Sequence, residues 1–129
     1  MKIDHLIIGS HNLNISKEFY IKILGFNEHD SFIDTGTGKK GFILIHNYLK
    51  ILLVPFEEIR LPNPQHIAFL VDEIQFNKIY YTAMNKKLKI RAEPNLNTEK
   101  FGIGSLDVNY KNFYILDPSN VNIEIMSHI

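Results

Sequence analysis

Three side chains able to hold a metal ion, His5, His66 and Glu124, stand in short apolar runs of this 129-residue chain. Two neutral imidazoles and one carboxylate form a donor set that binds iron(II), manganese, nickel or zinc and leaves coordination positions open. Two neighbouring oxygens of a small molecule can then chelate the ion, which acts as a Lewis acid on developing enolate, alkoxide or oxyanion charge. A single histidine in an apolar strand is more often a hydrogen-bonded rim group. Glu124 makes the sharper case: it lies between Ile123 and Ile125, and a carboxylate that faces an interior without a partner is expensive. Strand alternation also allows it to face solvent. The chain has no cysteine, so thiolate zinc sites, disulfides and cysteine nucleophiles are excluded and any metal is held by nitrogen and oxygen.

The elements that must position these residues are written twice. The first copy begins with a strand over Lys2–Gly9 and continues with a helix whose stripe is Ile15, Phe19, Tyr20, Ile23 and Leu24. Asn14 or Ser16 is expected to cap that helix, and Gly25 to end it in a left-handed turn. Strands over Phe26–Ile33, Gly41–Ile45 and Tyr48–Val54 follow, with Gly36, Gly38 and His46–Asn47 in the turns between them. Module 1 spans about residues 1–56, a proline-containing connector about 57–64, and module 2 about 65–129. In the second copy a strand over Gln65–Val71 leads to a helix around Glu73–Lys87, capped by Asp72, with Phe76, Ile79, Tyr80, Ala83, Met84 and Leu88 as its stripe. Strands over Lys89–Glu93, Asn112–Leu116 and Val121–Met126 complete it, and Asn120 closes the Asp117–Asn120 turn with a positive φ.

The repeat extends to single residues. Ile3-Asp4-His5-Leu6 lies over Pro64-Gln65-His66-Ile67, and Lys50-Ile51-Leu52-Leu53 over Asn122-Ile123-Glu124-Ile125. His5 thus answers His66, and Leu52 answers Glu124. Each copy, about 60 residues from the other, is one βαβββ unit that cannot bury both faces of its sheet alone, so two must pair.

Hydrophobic residues make up 45% and charged residues 22%, the profile of a globular chain. Fourteen Lys plus Arg balance fourteen Asp plus Glu, so no net field draws phosphate backbones or anionic lipid, and neither nucleic acid nor a membrane is an expected partner. The N-terminal run lacks the long apolar core of a signal peptide, and no stretch is of transmembrane length. The expected compartment is the cytoplasm.

In these motifs the chain resembles the vicinal-oxygen-chelate superfamily, which includes glyoxalase I, fosfomycin-resistance proteins, extradiol dioxygenases, methylmalonyl-CoA epimerase and bleomycin-resistance proteins. Ile3-Asp4-His5-Leu6, Lys17-Glu18-Phe19-Tyr20 and Leu24-Gly25-Phe26 look like its first half. His66-Ile67-Ala68-Phe69 and Phe113-Tyr114-Ile115-Leu116-Asp117-Pro118, running on to Ile123-Glu124-Ile125, look like its second. The resemblance implies an α+β fold of two paired βαβββ modules forming a curved, half-barrel mixed sheet around a central cavity. It places the usual metal ligands on the first and last strand of each module, here His5, Leu52, His66 and Glu124. It also implies a homodimer, with the site held within one chain or shared between two.

Leucine at the fourth position can neither ligate nor shuttle a proton, which argues against glyoxalase I and epimerase chemistry. The three-ligand pattern is closer to fosfomycin-resistance proteins and dioxygenases, although the tail Met126-Ser127-His128-Ile129 lacks the arginine-containing segment usual in the former. The expected function is a metal-dependent lyase, transferase or dioxygenase acting on a small molecule with vicinal oxygens. The alternative is a bleomycin-resistance-type binding protein without catalysis. No catalytic base is assigned: Glu28, His46, Glu93 and Tyr110 are candidates by type, and His46 and Tyr48 could stand near the metal. Pro94–Tyr110 has no clear periodicity and reads as a loop or lid, with Gly102 and Gly104 as bending points and Lys100, Ser105 and Tyr110 available to an anionic substrate.

Overall fold

Period-two runs become strands here, and the two 3.6-residue stripes become helices. A computed structural model describes residues 1–56, 63 and 65–129, leaving aside the side chain of residue 106. The connector expected at 57–64 lies almost wholly outside the described residues. The chain divides into two units, Met1–Pro62 and Asn63–Ile129.

The first unit runs β1 (Leu6–Ser10), α1 (Leu13–Lys22), β2 (Asn27–Ile33), β3 (Lys40–His46) and β4 (Leu49–Pro55). The second runs β5 (His66–Leu70), α2 (Glu73–Asn85), β6 (Gly104–Asp107), β7 (Tyr110–Leu116) and β8 (Asn122–His128). The sheets have the same open topology, β1-β4-β3-β2 and β5-β8-β7-β6. In each, the first strand runs parallel to the last and the other neighbours are antiparallel. The fold is therefore α+β, a mixed four-stranded βαβββ unit built twice. Even the registers coincide, with Leu6 opposite Ile51 in one unit and Ile67 opposite Ile123 in the other.

Each helix covers one face of its own sheet. In the first unit Ile8, Leu44, Ile51 and Leu53 are fully buried with Phe19, Tyr20 and Phe26. In the second, Phe113, Ile115, Ile123 and Ile125 are buried with Phe76, Ile79 and Ala83. Edge-on contacts of Phe113 with Phe76 (5.0 Å) and Tyr80 (5.3 Å) lock α2 onto β7.

Several local expectations are corrected. Asn12, not Asn14 or Ser16, caps α1, its side chain accepting from the Ile15 N–H. The helix starts earlier than its apolar stripe, and the Ser16 hydroxyl is buried against that of Ser10. Strand β1 begins at Leu6, because it is an edge strand and the polar start of the chain has only one neighbour to pair with. Ile15 and Met84, assigned to the stripes, are 52% and 46% exposed. The predicted strand at Lys89–Glu93 makes isolated bridges only, through Arg91 to Tyr114 and Phe101. The fourth strand is instead β6, inside the stretch read as a loop. There Gly104 serves close packing rather than bending, since a Cβ at that position would run into the Ala92 carbonyl. Gly25 ends α1 with a φ of +83° and Asn120 has a φ of 66°, both as the sequence predicts.

Candidate metal centre

Strand alternation decides which residues share a face. On β7, Lys111 reaches Glu73 and lies over the Phe76 ring, so the odd positions face α2. Asn112 and Tyr114 therefore face away from the helix. Glu124, opposite Tyr114 on β8, shares that face with Asn122, and so do His66 and Ala68 of β5, opposite Asn122 and Glu124.

His66, Asn112 and Tyr114 meet around the Glu124 carboxylate, whose side chain is 11% exposed. Its Oε2 lies 3.0 Å from His66 Nε2. Its Oε1 accepts from Asn112 Nδ2 at 2.8 Å and from the Tyr114 hydroxyl at 3.0 Å. Three donors on one anion explain how a carboxylate can be buried here without prohibitive cost. Burial, together with the hydrogen bond to and charge of Glu124, raises the Tyr114 phenol above the ordinary tyrosine range, while Arg91 opposes the shift. Tyr114 thus stays protonated and a donor.

Arg91 borders the cluster from the bridge to Tyr114. It is only 1% exposed. Its guanidinium donates to the Pro94 carbonyl at 2.7 Å and to Asn122 Oδ1 at 2.5 Å, and its Cζ lies 5.9 Å from the centre of the Tyr114 ring. Desolvation lowers its pKa from the ordinary arginine value.

His66 and Glu124 are thus brought together. His5 belongs to the first unit, just before β1, where its Nδ1 lies 2.7 Å from Asp4 Oδ2 and its side chain is 41% exposed. That contact, with Lys50 nearby, lowers the Asp4 pKa. Leu52, at the register position of Glu124, is half-buried beside Ile43 and Ile7. Within each unit, among the described residues, no three His, Asp or Glu side chains form a metal-holding group.

The candidate bases fare differently. Glu28 pairs with Lys17 of α1 at 3.4 Å, on the helix side of its sheet. His46 packs on Phe26 at 5.6 Å, by the end of α1, and Tyr48 is fully exposed. Glu93 accepts from the Thr98 hydroxyl and Lys100, which hold its carboxyl below the ordinary glutamate value. Tyr110 stacks on His128 at 4.5 Å, and the Ser105 hydroxyl donates to the Asp107 and Tyr110 carbonyls. Within the second unit, Glu93 and Tyr110 have no described bond to the Glu124 cluster. Sequence reasoning passed over Asn112, Tyr114, Asn122 and Arg91, although polar groups at every second position of β7 and β8 were the signal for three of them.

The profile of the Glyoxalase/Bleomycin resistance protein/Dioxygenase superfamily matches residues 2–125. No curated protein matches the chain. Among solved structures, oxidase ChaP-H2 is similar at 23% identity, covering 100% of this chain and 94% of its own, with a TM-score of 0.82. The genomically encoded fosfomycin resistance protein FosX from Listeria monocytogenes is similar at 14% identity, with 100% and 94% coverage and a TM-score of 0.76. A mutant of that FosX, complexed with Mn(II) and 1S,2S-dihydroxypropylphosphonic acid, is similar at 16% identity, with 96% and 90% coverage and a TM-score of 0.73. At these identities the likeness is one of fold.

Proposed function

Since the chain belongs to the glyoxalase/bleomycin resistance protein/dioxygenase superfamily, we propose that it is a metal-dependent enzyme acting on a small molecule with vicinal oxygens, with His5, His66 and Glu124 holding one divalent ion. The observation that carries this reading is the His66–Glu124 pair. Its donor atoms are 3.0 Å apart, the separation of two adjacent ligands whose bonds to one ion are each about 2.1 Å long and about perpendicular. Asn112 and Tyr114 hold the other carboxylate oxygen, the kind of outer support that orients a ligand. When bound, the ion supplies Lewis-acid activation to two adjacent substrate oxygens.

This chain's residues do the rest. His66 and Glu124 offer one neutral and one anionic donor on the face turned from α2, and His5 supplies the third donor from the first unit. Tyr114, kept protonated, remains a hydrogen-bond donor beside the carboxylate. Leu52 leaves the fourth family position without a ligand or base, which favours a fosfomycin-resistance-type or dioxygenase-type lyase, transferase or dioxygenase over glyoxalase chemistry. Manganese, iron(II), nickel and zinc all suit the donor set. The working unit is a cytoplasmic homodimer. No described helix is long and apolar enough to cross a membrane.

A second reading has one observation in its favour. Glu124 already has three hydrogen-bond partners from its own unit, so its oxygens are satisfied without an ion. On that reading the protein binds a small molecule and does no chemistry. Thermal unfolding with added Mn²⁺, Ni²⁺, Zn²⁺ or Fe²⁺ separates the two. The metal reading expects a rise in Tm with at least one ion, lost in His5→Ala, His66→Ala and Glu124→Gln. An unchanged Tm with all four ions in the parent protein favours the binding protein.

A further inference from the structure

Arg91 presents a problem that its visible partners do not solve. The side chain is almost completely buried, yet among the described residues it forms no ion pair: both of its hydrogen-bond partners, the Pro94 carbonyl and Asn122 Oδ1, are neutral. The nearby carboxylates are committed elsewhere, Glu124 to His66, Asn112 and Tyr114, and Glu93 to Thr98 and Lys100. A guanidinium has five N–H donors, and two of its terminal nitrogens are used here. The Tyr114 ring offsets part of the charge through its π face. A buried cation without an anion is nonetheless costly.

Beside Arg91 is a cavity of about 200 Å³, lined by Leu88, Lys89, Arg91, Leu96 and Leu116. Its lining thus includes two basic residues and three leucines. The volume is below the roughly 300–1,000 Å³ typical of clefts for drug-sized ligands. Its occupant is accordingly small, with one anionic end and a short apolar body. Arginine suits the anionic end because its planar fork meets a carboxylate or a phosphonate with two parallel hydrogen bonds.

We propose that Arg91 heads an anion subsite in the second unit, and that the ligand is a small organic anion whose charged group meets Arg91 while its apolar body lies along Leu88, Leu96 and Leu116. Asn122 links the subsite to the metal-binding face: it accepts from Arg91 and stands opposite His66 on β5. An anion held at Arg91 thus lies on the same side of the sheet as Glu124. That this anion is the substrate rests on the function proposed above; that the subsite binds anions does not.

Butyrate and its neutral isostere butyramide test the subsite, with ligand-observed and ¹H–¹⁵N NMR titrations of the metal-free full chain. Butyrate is expected to bind at least ten-fold more tightly than butyramide and to shift the amides of Arg91, Leu96 and Leu116. Arg91→Gln is expected to remove the preference, and Arg91→Lys to keep part of it. Because Arg91 also ties Pro94 to Asn122 and its loss can disturb folding, Leu96→Trp serves as an independent variant that fills the cavity and leaves the guanidinium in place; it is expected to abolish butyrate binding. Equal binding of butyrate and butyramide overturns the proposal, as does full butyrate affinity in a folded Arg91→Gln or Leu96→Trp protein. Repeating the titration with Mn²⁺ separates the two claims: failure to take up Mn²⁺ defeats the metal reading and leaves the subsite standing, whereas loss of butyrate binding in Mn²⁺-loaded protein overturns the subsite as a place for substrate.

Discussion

In the first unit the parallel pair β1–β4 sets Ile7 beside Leu52; in the second, the equivalent pair β5–β8 sets Ala68 beside Glu124. Topology, register and the helix-covered faces correspond. The faces turned away from the helices do not. Around Leu52 the first has Ile7, Ile43 and Ile45, with Lys50 beyond them, whereas around Glu124 the second has His66, Asn112, Tyr114 and Asn122. Helix-side packing therefore specifies the unit, while the other face is free to carry chemistry. A strand permits this because neighbouring residues point to opposite sides, so one set can change without touching the other.

The largest effect is expected from making the second unit resemble the first. Glu124→Leu should abolish metal uptake, read by elemental analysis. It should also lower stability in denaturant unfolding, because the Asn112 amide and the Tyr114 hydroxyl lose their acceptor, at about 1–3 kcal/mol for each group left buried and unpaired. The reciprocal change, Leu52→Glu, should leave metal uptake intact.

Matched deletions on the helix side should instead act alike. Ile51→Ala and Ile123→Ala fall at equivalent register positions and both residues are fully buried. Each should cost about 2–5 kcal/mol in denaturant unfolding. A large cost in one unit and almost none in the other would break the comparison.

Much of this was legible in the sequence. The repeat, both helices and the equivalence of His5 with His66 and of Leu52 with Glu124 come from period and position alone. Glu124 stood out because a carboxylate between two isoleucines contradicts its surroundings. Strand β6 was not legible, since Gly104–Asp107 has no alternating apolar pattern and its pairing depends on β7, a partner distant from any local signal. Arg91 lies in the segment that the sequence predicts as a strand, and nothing local distinguishes a buried arginine there from an exposed one. Its burial is created by Pro94, Asn122 and Tyr114, and only tertiary structure brings these together.

A smaller effect should follow from Tyr114→Phe, which removes one of the two donors on Glu124 Oε1 and leaves Asn112. By analogy with outer partners of other metal ligands, affinity for Mn²⁺ should fall about 10–100-fold, as measured by calorimetry, with the fold retained. Unchanged affinity would show that the hydroxyl does not orient the carboxylate.

The smallest predicted effect lies away from the polar face. Lys100 and Thr98 hold the Glu93 carboxyl below its ordinary value of 4.5. A carboxyl depressed on folding stabilises the protein above its unfolded pKa, and that contribution is lost as pH falls through the folded value. Lys100→Ala should therefore raise the Glu93 titration midpoint toward the ordinary value, as followed by carboxyl ¹³C NMR, while Mn²⁺ uptake stays the same.

In the proposed site one ion is held by the imidazoles of His5 and His66 and the carboxylate of Glu124. Pulsed electron paramagnetic resonance on protein loaded with Mn²⁺ and labelled with ¹⁵N-histidine counts the imidazoles directly. One ion per chain and two coupled histidine nitrogens are expected, reduced to one in His5→Ala and in His66→Ala when metal is present in excess. A bound ion with no coupled histidine nitrogen, or with the same count after both substitutions, would contradict it.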